Sequence, residues 1–257
     1  LTAFQAMPRA PRAIFSSAGP LVRLLQEELG GHRYLLSPRA LETHSGRDPF
    51  DWRHRLYGLT NAPFKLRAAG NFGEPLVPRA NYELMDALFS APGAAAAAAF
   101  FPWADIAGLL TLEPVSAPGL APAGRTLWAE SRFAGAAGGW LLSPADGATL
   151  PPMIAAPSTR RRPLGVARPR EDTFSARGEG VGWAFLSEPL YPGWAAWLET
   201  PLGPGSARAL PALGPFQKFS VPAGPWALHL RYDPSTFRWG LATTLFVAWL
   251  FGAYWYN

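Results

Sequence analysis

At 257 residues, with 28 prolines, 26 glycines and no cysteine, the chain is long enough for two ordinary domains but too rich in chain breakers to be all helical. Disulfides, thiolate metal sites and a cysteine nucleophile are excluded. The net charge of +5 is carried by scattered arginines, since only Lys65 and Lys218 are lysines; with no groove-reading motif beside them, nucleic acid is not an expected partner.

Residues 1–15, LTAFQAMPRAPRAIF, have neither an initiator Met nor a charged segment followed by an apolar one, so they read as an N-terminal extension without a usual signal peptide. A leucine start is expected of a piece of a longer chain. Residues 16–113 read as an α/β subdomain. Ser16 to Gly30 has apolar Leu21, Leu24, Leu25 and Leu29 at helical spacing, with Ser16 or Ser17 as cap, Pro20 in the first turn and Gly30-Gly31 as the stop. HRYLLSP then reads as a buried strand. A helical turn is expected around Trp52 to Leu59, followed by the turn-rich TNAPFKLRAAGNFGEP. RANYELMDALFSA reads as a helix capped by Asn81, with Leu84, Leu88 and Tyr82 or Met85 inward. The run GAAAAAAFFPWADIAGLLTL resembles a membrane span until Pro102 and Asp105; a mid-membrane Asp costs about 2.5–3.5 kcal/mol. It is expected to be the end of a buried helix followed by a strand.

Residues 114–124, Pro-rich and almost uncharged, read as a linker. Beyond them short apolar runs alternate with turn residues, as in an antiparallel β-sandwich, jelly-roll-like, over 125–235. In WALHLRY the residues Trp226, Leu228, Leu230 and Tyr232 face one way and His229 and Arg231 the other, the alternation of a half-buried strand. The fold class expected is α+β.

The tail over 237–256 reads as a transmembrane helix. Gly240 to Tyr256 holds 17 residues without formal charge, reaching about 25 Å against a hydrocarbon core of about 30 Å. Trp239, Trp249, Tyr254, Trp255 and Tyr256 are expected membrane anchors, as in aromatic belts. Arg231 and Arg238 precede the span, and by the positive-inside rule alone they place the body in the cytoplasm.

Catalytic signatures are absent. His32, His44, His54 and His229 are spaced too irregularly for a metal motif, and there is no nucleophile elbow, P-loop or dinucleotide fingerprint. Glycoside hydrolysis needs two carboxylates at a fixed separation; Glu171, Asp172, Glu179, Glu188 and Glu199 offer no distinguished pair. Trp183, Tyr191, Trp194 and Trp197 are candidate sugar contacts, because flat apolar rings suit pyranose faces, although such rings also serve as core.

The ordered series FLSEPLYPGWAAWLE, VPAG and LRYDPSTFRWG before an apolar helix resembles the C-terminal part of the YfhO-like bacterial membrane proteins. The matching positions are Tyr191, Pro192, Gly193 and Trp194, then Pro222, Ala223 and Gly224, then Tyr232, Asp233 and Pro234. GHRYLLSP and GEPLVPRANYELM are similar to the family's first half, through Gly73, Pro75, Leu76 and Arg79. LETPLGPG stands where the family has an Asp-Gly turn, and FAGAAGGWLLSP lacks its Pro-Arg.

The resemblance implies a polytopic, GT-C-type glycosyltransferase-like parent that uses a lipid-linked sugar donor on cell-envelope polymers, with its catalytic acid in an upstream loop. This chain then carries no catalytic residue and no cofactor, lies mainly outside the bacterial cytoplasmic membrane, and has membrane lipid and cell-envelope glycan as partners. The alternative is a membrane-anchored carbohydrate-binding or adhesion module.

Overall fold

The computed structural model describes residues 16–38, 40, 56, 61–70, 79–125, 129–144, 161–170, 172–189 and 191–256. The extension 1–15, nearly all of the turn expected at Trp52 to Leu59, and Gly73, Pro75 and Leu76 lie outside them. The fold is mixed helix and sheet, α+β in kind, as the sequence led one to expect.

Helix α1 (Pro20–Leu29) buries Leu21, Val22, Leu25 and Leu29 and stops at Gly30, whose φ of 56° is left-handed. Its N-cap is Gly19, not Ser16 or Ser17, with no side-chain cap hydrogen bond; Pro20 at the first position removes one of the N–H groups that a helix start leaves unpaired. Strand β1 (Arg33–Leu36) follows, then β2 (Arg67–Ala68), helices α2 (Arg79–Phe89), α3 (Ala94–Ala98) and α4 (Phe101–Ala104), and β3 (Ile106–Thr111). Asn81, expected as a cap, lies inside α2 because the helix begins two residues earlier. The polyalanine run ends as a helix at Ala98, a turn at Ala99 and Phe100 leads into α4 with Pro102 in its first turn, and the chain turns again at Asp105, in the left-handed region at φ 59°.

Strands β4 (Leu120–Arg125) and β5 (Ala129–Phe133) complete a first sheet of order β2-β1-β3-β5-β4, in which β1 runs parallel to β2 and β3. Residues 120–124 of the expected linker are thus strand. Pro122 fits there because β4 is an edge and its register shifts between Pro122 and Gly124.

Ten further strands form the sandwich: β6 (Gly139–Leu142), β7 (Arg162–Pro163), β8 (Gly165–Arg170), β9 (Thr173–Glu179), β10 (Gly182–Leu186), β11 (Trp194–Thr200), β12 (Gly203–Ser206), β13 (Ala209–Pro211), β14 (Gln217–Val221) and β15 (Pro225–Tyr232). The second sheet has order β13-β14-β10-β6-β7 and the third β12-β11-β15-β9-β8. All their pairings are antiparallel.

The second sheet is buried on both faces. Leu141, Ala184, Leu186 and Phe219 meet Phe174, Ala176, Leu228 and Leu230 of the third sheet. Trp140, Leu142 and Phe185 point the other way, into a core with Leu84, Phe101, Trp103, Ile106 and Phe216. Beyond the first sheet, Tyr34, Leu36 and Leu110 pack on α1. Hence GWLL and GWAFL are continuous apolar runs, whereas β15, with one face in water, alternates.

Helix α5 (Ser235–Tyr256) leaves the body after β15. Its 22 residues extend about 33 Å, and Phe237, Trp239, Leu241, Leu245, Phe246, Trp249 and Phe251 are all exposed. Among the described residues no helix is both long and apolar enough to cross a membrane. The span expected over 237–256 is therefore not supported as such. A helix forms there, but Gly240, Thr243, Thr244, Gly252 and the polar atoms of its Trp and Tyr residues hold its mean hydropathy down.

Phe185 is fully buried, edge-on to Trp103 at 5.1 Å and to Phe216 at 5.9 Å. Phe185→Ala is expected to cost about 3–5 kcal/mol in a denaturant titration followed by tryptophan fluorescence. Leu202→Ala, at a fully exposed turn, stays within about 0.5 kcal/mol of wild type.

Candidate functional site

The four candidate sugar contacts do not share one surface. Trp183, on β10, is half-buried against the inner core, with Lys218 Nζ 4.7 Å from its ring centroid. Trp194 and Trp197 lie on opposite faces of β11. Trp194 packs toward the sandwich core, tilted on Tyr232 at 5.5 Å. Trp197, 39 % exposed, stacks on His229 at 5.4 Å and 15° on the outer face of the third sheet. Glu199 Oε2 lies 3.1 Å from His229 Nε2 on that same face.

Tyr191 opens the Tyr-Pro-Gly-Trp corner and its hydroxyl accepts from Asn81 Nδ2 at 2.9 Å, tying α2 to the sandwich. Gly193 has φ 112°, and a Cβ there would stand 3.0 Å from Pro234 Cα and 3.1 Å from the Tyr232 ring. Asp233 N–H donates to Gly193 O at 2.8 Å. The corner is thus clamped onto the base of α5, a close approach that only glycine allows. Of the expected anchors, Trp239 and Trp249 are exposed on α5; Tyr254, Trp255 and Tyr256 belong to the helix.

The strongest polar feature lies elsewhere, at the seam between the first sheet and the sandwich. Glu188 follows β10, and its Oε2 accepts from Arg33 Nη2 at 2.8 Å, from Arg67 Nη2 at 2.7 Å and from Arg168 Nη2. Arg33 is buried; its Nη1 donates to Ala104 O at 2.9 Å and Ser187 O at 2.5 Å. Arg67 Nη1 donates to Asp105 Oδ2 at 3.1 Å, and His32 Nδ1 lies 2.5 Å from Asp105 Oδ1. Burial alone would raise the Glu188 carboxyl, but Arg33, Arg168 and Arg67 outweigh it and hold the group below its usual range. Burial, then the neighbouring Arg33, lowers Arg67 to about 10, with Glu188 opposing.

Around Glu188 the cluster holds surfaces together. Glu188 stays ionised at neutral pH and its Oε2 is surrounded by donors, so it has no proton to give. Sequence reasoning passed over Arg33, Arg67, Arg168, His32 and Asp105 as a group. The signal available was charge inside apolar runs: Arg33 in HRYLL, Asp105 in PWADIAG and Glu188 in FLSEP. Charges in such places must find one another, because an unpaired buried charge is costly.

Among the described residues no group of three or more His, Asp or Glu side chains is placed to hold a metal ion. No protein-family model, curated protein or solved structure matches the chain.

Removing one partner of a buried ionic cluster costs about 3–5 kcal/mol, so Glu188→Gln is expected to lose about that much at pH 7. Because the native carboxyl titrates below its ordinary value of 4.5, its contribution is complete above that value and fades as pH falls through the lower native one. Denaturant titrations from pH 7 to pH 3 are expected to show the gap between wild type and Glu188→Gln closing at the acid end.

Proposed function

We propose that the chain is the extracytoplasmic body of a YfhO-like, GT-C-type membrane protein that glycosylates cell-envelope polymers. In this reading the body is non-catalytic and shapes the approach of the acceptor and the lipid-linked sugar donor at the membrane face. The observation that carries it is the direct passage from the sandwich into an apolar helix. Only Asp233 and Pro234 separate β15 from α5, and the helix exposes large apolar side chains around much of its circumference. Such a surface is stable only when lipid or protein surrounds it.

Two features of α5 support a place among lipid and neighbouring helices. Thr243 Oγ1 and Thr244 Oγ1 each donate, at 2.9 Å, to the carbonyl four residues back, Trp239 O and Gly240 O, so their hydroxyls need no water. Gly240, Thr244, Ala248 and Gly252 recur at four-residue spacing, a stripe of small residues that lets another helix approach closely. A helix of modest hydropathy with such a stripe suits a chain with several membrane helices. The bacterial cytoplasmic membrane is the proposed location; the sandwich is placed outside by the family resemblance, against the positive-inside vote of Arg231 and Arg238.

The test is sedimentation of cells broken without detergent. The full chain is expected in the membrane pellet and to resist an alkaline wash. Leu245→Arg with Trp249→Arg, each charge costing about 2.5–3.5 kcal/mol in the helix centre, shifts it to the supernatant. Wild-type chain in the supernatant overturns the reading.

A second reading, an anchored carbohydrate-binding module, is favoured by one observation: the Trp197–His229 stack with Glu199 on the open face of the third sheet. On a glycan array the full chain would then retain a defined sugar, and Trp197→Ala would weaken it by about tenfold, which is about 1.4 kcal/mol. No retained glycan removes this second reading.

A further inference from the structure

Two loops meet the chain where α5 begins. Tyr232 N–H donates to Asp172 O at 2.8 Å, which brings in the β8–β9 turn, and Asp233 N–H donates to Gly193 O at 2.8 Å, which brings in the Tyr191 corner. Thr173 stands opposite Arg231, and Arg231 opposite Ala195, across the third sheet. The result is one rim, at one end of the sandwich, carrying the exposed side chains of Tyr191, Tyr232, Phe237, Trp239, Arg170 and Arg231.

Rings that are apolar in body and polar at the tip suit the boundary between hydrocarbon and water, and arginines suit the phosphate layer just above it. From this, and resting on the proposal that α5 lies in lipid, we infer that the rim seats the body on the headgroup layer of the bilayer. The far end of the sandwich, with the β11–β12 turn at Leu202, then stands away from the membrane.

Net charge does not drive the contact. Arg170, Arg231 and Arg238 share this end of the chain's fold with Asp172 and Asp233, and Arg238 Nε already donates to Asp233 Oδ1 at 2.9 Å. The rings supply the contact, so seating is the same on zwitterionic and on anionic lipid and tolerates salt, unlike the adsorption of a polybasic patch.

The chain has no cysteine, so single labels can be placed at will. Ala195→Cys marks the rim; Leu202→Cys marks the distal turn, roughly 17 Å further along by the rise of β11. Each full-length variant carries a fluorophore and is reconstituted in phosphatidylcholine vesicles, with or without phosphatidylglycerol, that contain a headgroup nitroxide lipid. The rim label is expected to be quenched several-fold more than the distal label, equally in both lipids and at high salt. Adding Phe237→Ser and Trp239→Ser, both at exposed positions, lowers the rim signal about twofold while the protein still floats with the vesicles and keeps its circular dichroism spectrum. Equal quenching at the two labels, or a rim signal untouched by the serine changes, overturns the inference and leaves anchoring by α5 standing. A chain that does not float overturns the anchoring proposal and this inference together.

Discussion

Strand β10 has a hydrophobic core on each of its faces, and the rest of the body is organised around that constraint. Ala184 and Leu186 fill the sandwich core while Phe185, between them, fills the core shared with the helical half. A five-residue strand thereby belongs to two hydrophobic interiors at once. Neither half can complete its core without the other, so the N-terminal unit is packed onto the sandwich and not merely joined to it.

The charged cluster sits directly after that strand, where Ser187 and Glu188 emerge from the core. Its geometry explains why a costly arrangement persists. One carboxylate oxygen gathers guanidinium groups from β1, β2 and β8, three elements that the chain visits far apart in sequence. Apolar contact tolerates sliding, whereas charge-assisted hydrogen bonds fix position and angle. The cores therefore supply cohesion and Glu188 supplies the register between the two halves.

Much of the third sheet was legible in the sequence because its outer face is wet: WALHLRY alternates, and the alternation survives as buried Trp226, Leu228 and Leu230 against His229 and Arg231. The second sheet was harder to place, since GWLL and GWAFL carry no period and a doubly buried strand looks like any apolar run. The strand at 120–124 was hidden for a related reason: prolines suggest a linker, yet Pro122 occupies an edge strand where a missing N–H costs nothing. The charged cluster was out of reach by spacing alone, because its members converge only once three sheets are assembled. The aromatic corner was visible as a motif, but motif reading could not assign Trp194 and Trp197 to opposite faces without the strand direction.

Strand β15 lies at the middle of the third sheet, flanked by β11 and β9, and α5 continues it with only two residues between. A helix hung from an edge strand could swing and peel that strand away. Hung from the centre, and clamped by Gly193 against Pro234, it acts as a stiff lever. A tilt or twist of the helix turns the whole sandwich as one piece, and a push on the sandwich is returned to the helix without slack.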